Sequence, residues 1–184
     1  MDIKPIETRY KGYRFRSRLE ARWAVFFDTL RLNWEYEKEG YDLGDLGFYL
    51  PDFWISNLYD RYGRQGMFAE VKGQEATDLE IEKLARLTIG KSYAAMLQGG
   101  MRPYNPLGTD NEFLEVGWLN GEVTIDNPMV FMKCYSCGAV KYEFPESNYC
   151  VCDLCGGKAD DEHPDIIRAY EKALSARFEF ADRW

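Results

Sequence analysis

Leu50-Pro51-Asp52-Phe53 and, 18 residues past the aspartate, Ala69-Glu70-Val71-Lys72-Gly73 are the stretches that decide how this chain is read. Met67 to Val71 reads as a strand, with Met67, Ala69 and Val71 on one face and Phe68, Glu70 and Lys72 on the other. Two positions apart on a strand, Glu70 and Lys72 project from the same face roughly 7 Å from each other. Phe48-Tyr49-Leu50 and Phe53-Trp54-Ile55 read as the preceding strand, interrupted by Pro51, whose missing N–H implies an edge, a bulge or a bend. Residues 57–66 suit a hairpin loop between the two. That return places Asp52 and Glu70 on neighbouring strands.

Outward from this pair the pattern is helical on both sides. Ser17-Arg18-Leu19-Glu20 has the form of a capping box, and Leu19, Trp23, Phe26, Phe27 and Leu30 recur at helical spacing, which predicts a helix over 17–30. Trp34 to Glu37 alternates as a first strand. Residues 78–88 predict a second helix, with Leu79, Ile81, Leu84 and Leu87 apolar, and 92–97 a fourth strand. The order is α-β-β-β-α-β, for which an α/β fold with a central mixed sheet flanked by helices is the natural architecture. Residues 101–111 read as a loop, and 113–119 with 122–125 as a hairpin around Asn120-Gly121.

Two carboxylates can hold a hard divalent cation through oxygen, and an ammonium group beside them can order a water or steady a phosphate. With Pro-Asp on the second strand and Glu-x-Lys on the third, the chain resembles the PD-(D/E)XK nuclease superfamily over roughly residues 10–98, and so a restriction-endonuclease-like core. The resemblance implies Asp52, Glu70 and the Val71 carbonyl as ligands of Mg²⁺ (or Mn²⁺), and Lys72 as the lysine that orients water. It implies a metal-activated water attacking a phosphodiester, with DNA as the substrate. Cores similar to the Holliday-junction resolvase and transposon-end endonuclease types add a glutamate on the first helix, the place of Glu20. Glu20 has a second reading as the capping residue of its own helix, worth on the order of 1 kcal/mol. Arg14, Arg16, Arg18 and Arg22, in a locally basic amino end, are candidates for phosphate contacts.

Cys134-Tyr135-Ser136-Cys137 and Cys152-Asp153-Leu154-Cys155 form two Cys-x-x-Cys knuckles, each followed by glycine. Four thiolates so spaced fit tetrahedral Zn²⁺. Disulfides are the competing reading, disfavoured by the odd count of five cysteines. Cys150 is the spare, read as a free thiol. The chain then divides into a nuclease-like core (1–130), a zinc ribbon (131–160) and a C-terminal helix (161–184), which begins at Pro164 and packs on the core or on the ribbon.

The net charge of −8 argues against a protein that coats nucleic acid non-specifically, but not against a nuclease. The single histidine, His163, lies in an acidic stretch beyond the cysteines and reads as a surface residue near a helix start, which excludes histidine-based hydrolysis as a first choice. No apolar run approaches a membrane span and the start lacks a signal-like core, so a cytoplasmic protein is expected. Two further readings stay open: a catalytically silent zinc-ribbon nucleic-acid-binding or adaptor protein, and a subunit that cleaves only within a larger assembly; a protein partner or a homodimer would serve targeting.

Overall fold

Ser17 ends the extended lead-in and its hydroxyl accepts the Glu20 N–H at 3.2 Å, which starts helix α1 (Arg18–Thr29). Phe26 and Phe27 are wholly buried, each contributing about 1.5–3 kcal/mol over exposure. The computed structural model describes residues 6–60, 64–90, 94–102, 112–126, 128–145 and 150–178. Within these, strands β1 (Thr8–Tyr10) and β2 (Tyr13–Phe15) make a hairpin before α1, on a stretch expected only to be an aromatic and basic lead-in. After α1 come β3 (Trp34–Tyr36), β4 (Tyr41–Asp42), β5 (Phe48–Tyr49), β6 (Phe53–Tyr59) and β7 (Gln65–Val71). Helix α2 (Asp78–Leu87) leads to β8 (Ala94–Gln98), β9 (Glu112–Leu119) and β10 (Glu122–Asp126). The cysteine-bearing segment supplies β11 (Val130–Cys134), β12 (Val140–Glu143), β13 (Cys150–Val151) and β14 (Lys158–Asp160), and α3 (Pro164–Ser175) follows.

The fold is mixed α/β. A 10-stranded sheet runs β10-β9-β8-β7-β6-β12-β11-β14-β13, with β3 paired to β6 off that path. The β7–β8 pair is parallel, with α2 as the crossover, and β6–β7 is antiparallel. Long β6 serves two partners on one edge: its first half pairs with β3 and its last residue, Tyr59, meets Lys141 of β12. The alternation expected for β7 holds. Met67, Ala69 and Val71 pack into the core with α1 and α3, while Phe68 packs with Leu84, Ala85 and Leu87 of α2 on the opposite face.

Two expectations need correction. Phe48-Tyr49 and Phe53-Trp54-Ile55 are not one interrupted strand: β5 pairs with β4, and β6 begins only after Asp52. The break has a cause in Pro51, which has no N–H to give, and in Asp52, whose N–H turns to the Glu70 carboxylate at 3.4 Å. The loop expected over 57–66 is shorter, because β6 continues to Tyr59 and Asp60 N–H bonds Arg64 O at 2.9 Å. Gly66, at φ +96°, sits where a Cβ would come within 2.4 Å of the Trp54 ring, so the strand irregularity here requires glycine. The fourth strand is described from Ala94 to Gln98; the expected Ser92 and Tyr93, and most of the 101–111 loop, lie outside the described residues.

The cysteine segment runs on from the main sheet. The expected division at 130/131 falls at the start of β11, and Phe131, Val140 and Tyr142 belong to the main core. Helix α3 lies on α1, with the Phe26 and Tyr170 rings 4.7 Å apart. His163 is its N-cap, accepting the Asp165 N–H at 3.1 Å. Among the described residues no helix is long and apolar enough to cross a membrane.

Candidate functional site

Glu20, Asp52 and Glu70 are all buried, with Asp52 only 1% exposed. Three acidic side chains inside a small domain are costly, and each is held by specific donors. Asp52 is fixed by every polar group it has. Its Oδ2 accepts the Val71 N–H at 2.8 Å, its Oδ1 receives the Arg16 guanidinium, its N–H points at Glu70 Oε2, and its carbonyl accepts the Glu37 N–H at 2.8 Å. The antiparallel register pairing Phe53 with Ala69 is what sets Asp52 against Glu70. Glu37 turns the chain at this point with φ +45°, a left-handed conformation that a side-chain-bearing residue adopts at a cost of roughly 1–2 kcal/mol.

Glu70 lies across from Asp52 on β7, accepting the Tyr49 hydroxyl at 2.9 Å on Oε2 and pairing through Oε1 with Lys72 Nζ at 3.0 Å. Lys72 reaches a second carboxylate, Glu80, at 2.9 Å. Glu20 accepts the Tyr36 hydroxyl at 2.5 Å, the Arg16 N–H at 3.1 Å and the Ser17 hydroxyl at 2.6 Å. The expected capping box on α1 is therefore half formed: Ser17 caps Glu20, but the glutamate turns to Tyr36, Arg16 and the Ser17 hydroxyl. The complete box belongs to α2, between Thr77 and Glu80.

The charges do not balance. Burial pushes the Asp52 carboxyl up to about 8, and the negative charges of Glu70 and Glu20 add to this against the Val71 N–H and Arg16. Burial and Glu70 likewise hold the Tyr49 phenol well above its usual range. Hard oxygen donors carrying surplus negative charge suit a divalent cation, so the residues present fit one. Val71 meets Asp52 through its N–H. The three carboxylates are not drawn into one tight cluster, however. Among the described residues, the only set of three or more acidic, cysteine or histidine ligand atoms lying within 4.8 Å of one another is that of the cysteines.

Of the four arginines, the structure brings Arg16 to the site, where it spans Asp52 and Glu37. Arg14 instead pairs with Glu7 on the exposed hairpin. Arg18 is the half-buried first residue of α1, and Arg22, also half-buried, keeps its Nε from solvent without a hydrogen-bond partner. Tyr36, Tyr49, Glu37 and Glu80 are site residues that sequence reading missed. Thr77-x-x-Glu80 carried a capping-box signal; the two tyrosines had none, because long-range packing alone delivers them.

Cys134, Cys137, Cys152 and Cys155 form a four-cysteine group positioned to bind a metal ion. The Cys134–Cys155 and Cys137–Cys152 sulfurs are each 3.6 Å apart, near the roughly 3.8 Å edge of a tetrahedron built on a Zn–S distance of about 2.3 Å. Burial disfavours the Cys134 thiolate, but the Cys137 and Ser136 N–H groups outweigh it and bring the thiol down to about 6. Gly157 has no room for a side chain: a Cβ would meet Ser136 Oγ at 2.4 Å and the Cys134 sulfur at 3.2 Å. Cys150 stays outside the group, buried on β13 with its thiol pushed up by burial. Compared with known proteins, the chain matches no family model, no curated protein and no solved structure.

Proposed function

We propose that this chain is a divalent-metal-dependent nuclease of the PD-(D/E)XK type, acting on DNA in the cytoplasm, with a zinc-filled four-cysteine centre that stabilises the fold. The observation that carries the reading is the buried group of Asp52, Glu70 and Glu20, three carboxylates against the two cations, Arg16 and Lys72, that pair with Asp52 and Glu70. Asp52, Glu70 and the Val71 carbonyl would hold Mg²⁺ or Mn²⁺. The ion, when bound, lowers the pKa of its water and neutralises developing charge. Asp52 is kept at a fixed orientation by the Val71 N–H, and Glu70 by the Tyr49 hydroxyl. Lys72, between two carboxylates, stays cationic and is suited to orient water or steady a phosphate oxygen rather than to take a proton. The exposed side chain of Arg16 would let its head leave Asp52 for a phosphate.

One observation favours the second reading, a silent nucleic-acid-binding or adaptor protein: Arg16 already neutralises Asp52, and Glu20 is occupied by three donors. Cleavage assays separate the two. Linear, circular, single-stranded and branched DNA are offered to the purified protein with Mg²⁺, with Mn²⁺ and with neither. The nuclease reading expects metal-dependent cutting that Asp52→Asn lowers by about 10³-fold, on the order of 4 kcal/mol. Equal cutting by Asp52→Asn removes the assignment, and DNA that is bound but never cut moves it to the second reading.

A further inference from the structure

We propose that Glu80, on the first turn of α2, is the positioning residue for Lys72. The inference rests on the nuclease reading and deepens it. Its two carboxylate oxygens are divided between two tasks. Oε2 accepts the Thr77 N–H and the Thr77 hydroxyl, each at 2.9 Å, which closes the capping box and fixes the glutamate to the helix start. Oε1 faces the other way and meets Lys72 Nζ at 2.9 Å. The helix end is thereby tied to the strand that carries the site.

Lys72 needs this tie. Past the end of β7 its N–H still bonds Leu97 O at 2.8 Å, so its backbone is fixed by the sheet, while its four-carbon stem has several rotatable bonds between that backbone and the ammonium. Glu70 alone restrains the ammonium from one side at 3.0 Å. With Glu80 as a second partner, two of the three ammonium protons are committed and one is left for a water or a phosphate oxygen. An exposed ion pair alone is worth little in stability, and Glu80 is 38% exposed. Its value lies in orientation: a lysine fixed beside a carboxylate cluster is already placed for the reaction.

The test compares Glu80→Gln with Thr77→Ala in the full-length protein. Glu80→Gln removes the charge facing Lys72; Thr77→Ala removes the cap hydroxyl and leaves that charge in place. Glu80→Gln is expected to lower kcat about tenfold with KM within twofold. Thr77→Ala is expected to lower the melting temperature at least as much while kcat stays within twofold. A second readout needs no cleavage: at one fixed pH, the Lys72 ammonium gives a slowly exchanging ¹⁵N-correlated signal in the parent and in Thr77→Ala, and loses it in Glu80→Gln. An unchanged Lys72 signal in Glu80→Gln, or equal kcat losses in the two variants, overturns the proposal. If the parent cuts no DNA while the Lys72 signal responds as expected, the nuclease reading falls and the Lys72–Glu80 tie stands.

Discussion

The four-cysteine group and the buried carboxylates are two ways of preparing for a cation, and they differ in what satisfies the ligands beforehand. The Cys134–Cys155 and Cys137–Cys152 sulfurs sit about a tetrahedral edge apart, with the Ser136 N–H turned toward Cys134. The carboxylates are held apart and answered by protein: Arg16 on Asp52, Lys72 on Glu70, Tyr36 on Glu20. At the first site four close thiolates would repel one another without an ion, so an ion is expected to hold them together. The second has a shape without one and only a surplus of charge to offer. A structural metal is expected at the first and an exchangeable one at the second.

The largest effect that could break this contrast is thermal. Structural zinc binding is worth on the order of 10 kcal/mol, and β13 and β14 are short strands whose anchor is the cysteine cluster and the small core around it. Cys152→Ser is expected to lose one equivalent of zinc by metal analysis and to lower the melting temperature by at least about 10 °C, at roughly 2–4 °C per kcal/mol for a chain of this size. Withdrawing Mg²⁺ is expected to lower the stability by about 1 kcal/mol or less. A freshly purified protein without zinc would end the four-cysteine assignment.

Next in size is a pH effect confined to the carboxylate site. Asp52 has a folded-state value of about 8, above the roughly 3.9 of an unfolded aspartate, so folding favours its protonated form. Between these values the folded chain keeps a proton that the unfolded chain has released. The stability from this group is complete below about pH 4 and is lost as pH rises through about 8. Without added divalent metal the unfolding free energy should therefore fall across that window, by at most about 1.4 kcal/mol per pH unit, and the melting temperature with it. Glu70, Glu20, Tyr49 and Arg16 face the same carboxyl, so the slope is compared between parent and Asp52→Asn, in which it should flatten. Parallel slopes would mean that Asp52 is not carrying the charge surplus.

The same contrast explains how much could be read from residues alone. The cysteine ligands arrive as two local knuckles, and Cys152 rather than Cys150 follows from the x-x spacing that closes each. α1, α2, α3, β7 and the Asn120-Gly121 hairpin were legible because their periodicity or turn chemistry is local. The placement of Asp52 beside Glu70 was legible through strand alternation, although the strand before it was misjudged at Pro51. What could not be read was who answers each charge. Tyr36 reaches Glu20 from 16 positions away and Arg16 reaches Asp52 from 36, through packing that no short pattern encodes. The continuity of the cysteine segment with the sheet hangs on the Tyr59–Lys141 pairing, which is equally invisible locally.

The smallest effect is the sharpest test of what separates the two sites. If Arg16 serves as the resident cation of Asp52, then it competes with an incoming ion, and removing it should help the ion. Its side chain is 58% exposed, so water and salt screen much of the pairing and the competition is modest. Arg16→Ala is expected to tighten Mn²⁺ binding about three- to tenfold by titration calorimetry, up to about 1.4 kcal/mol. The same variant should weaken DNA binding, since the guanidinium it removes is the one able to turn outward to a phosphate. Zinc content should not move. Mn²⁺ affinity that is unchanged or weaker in Arg16→Ala would show that Arg16 braces Asp52 for the metal instead of standing in its place.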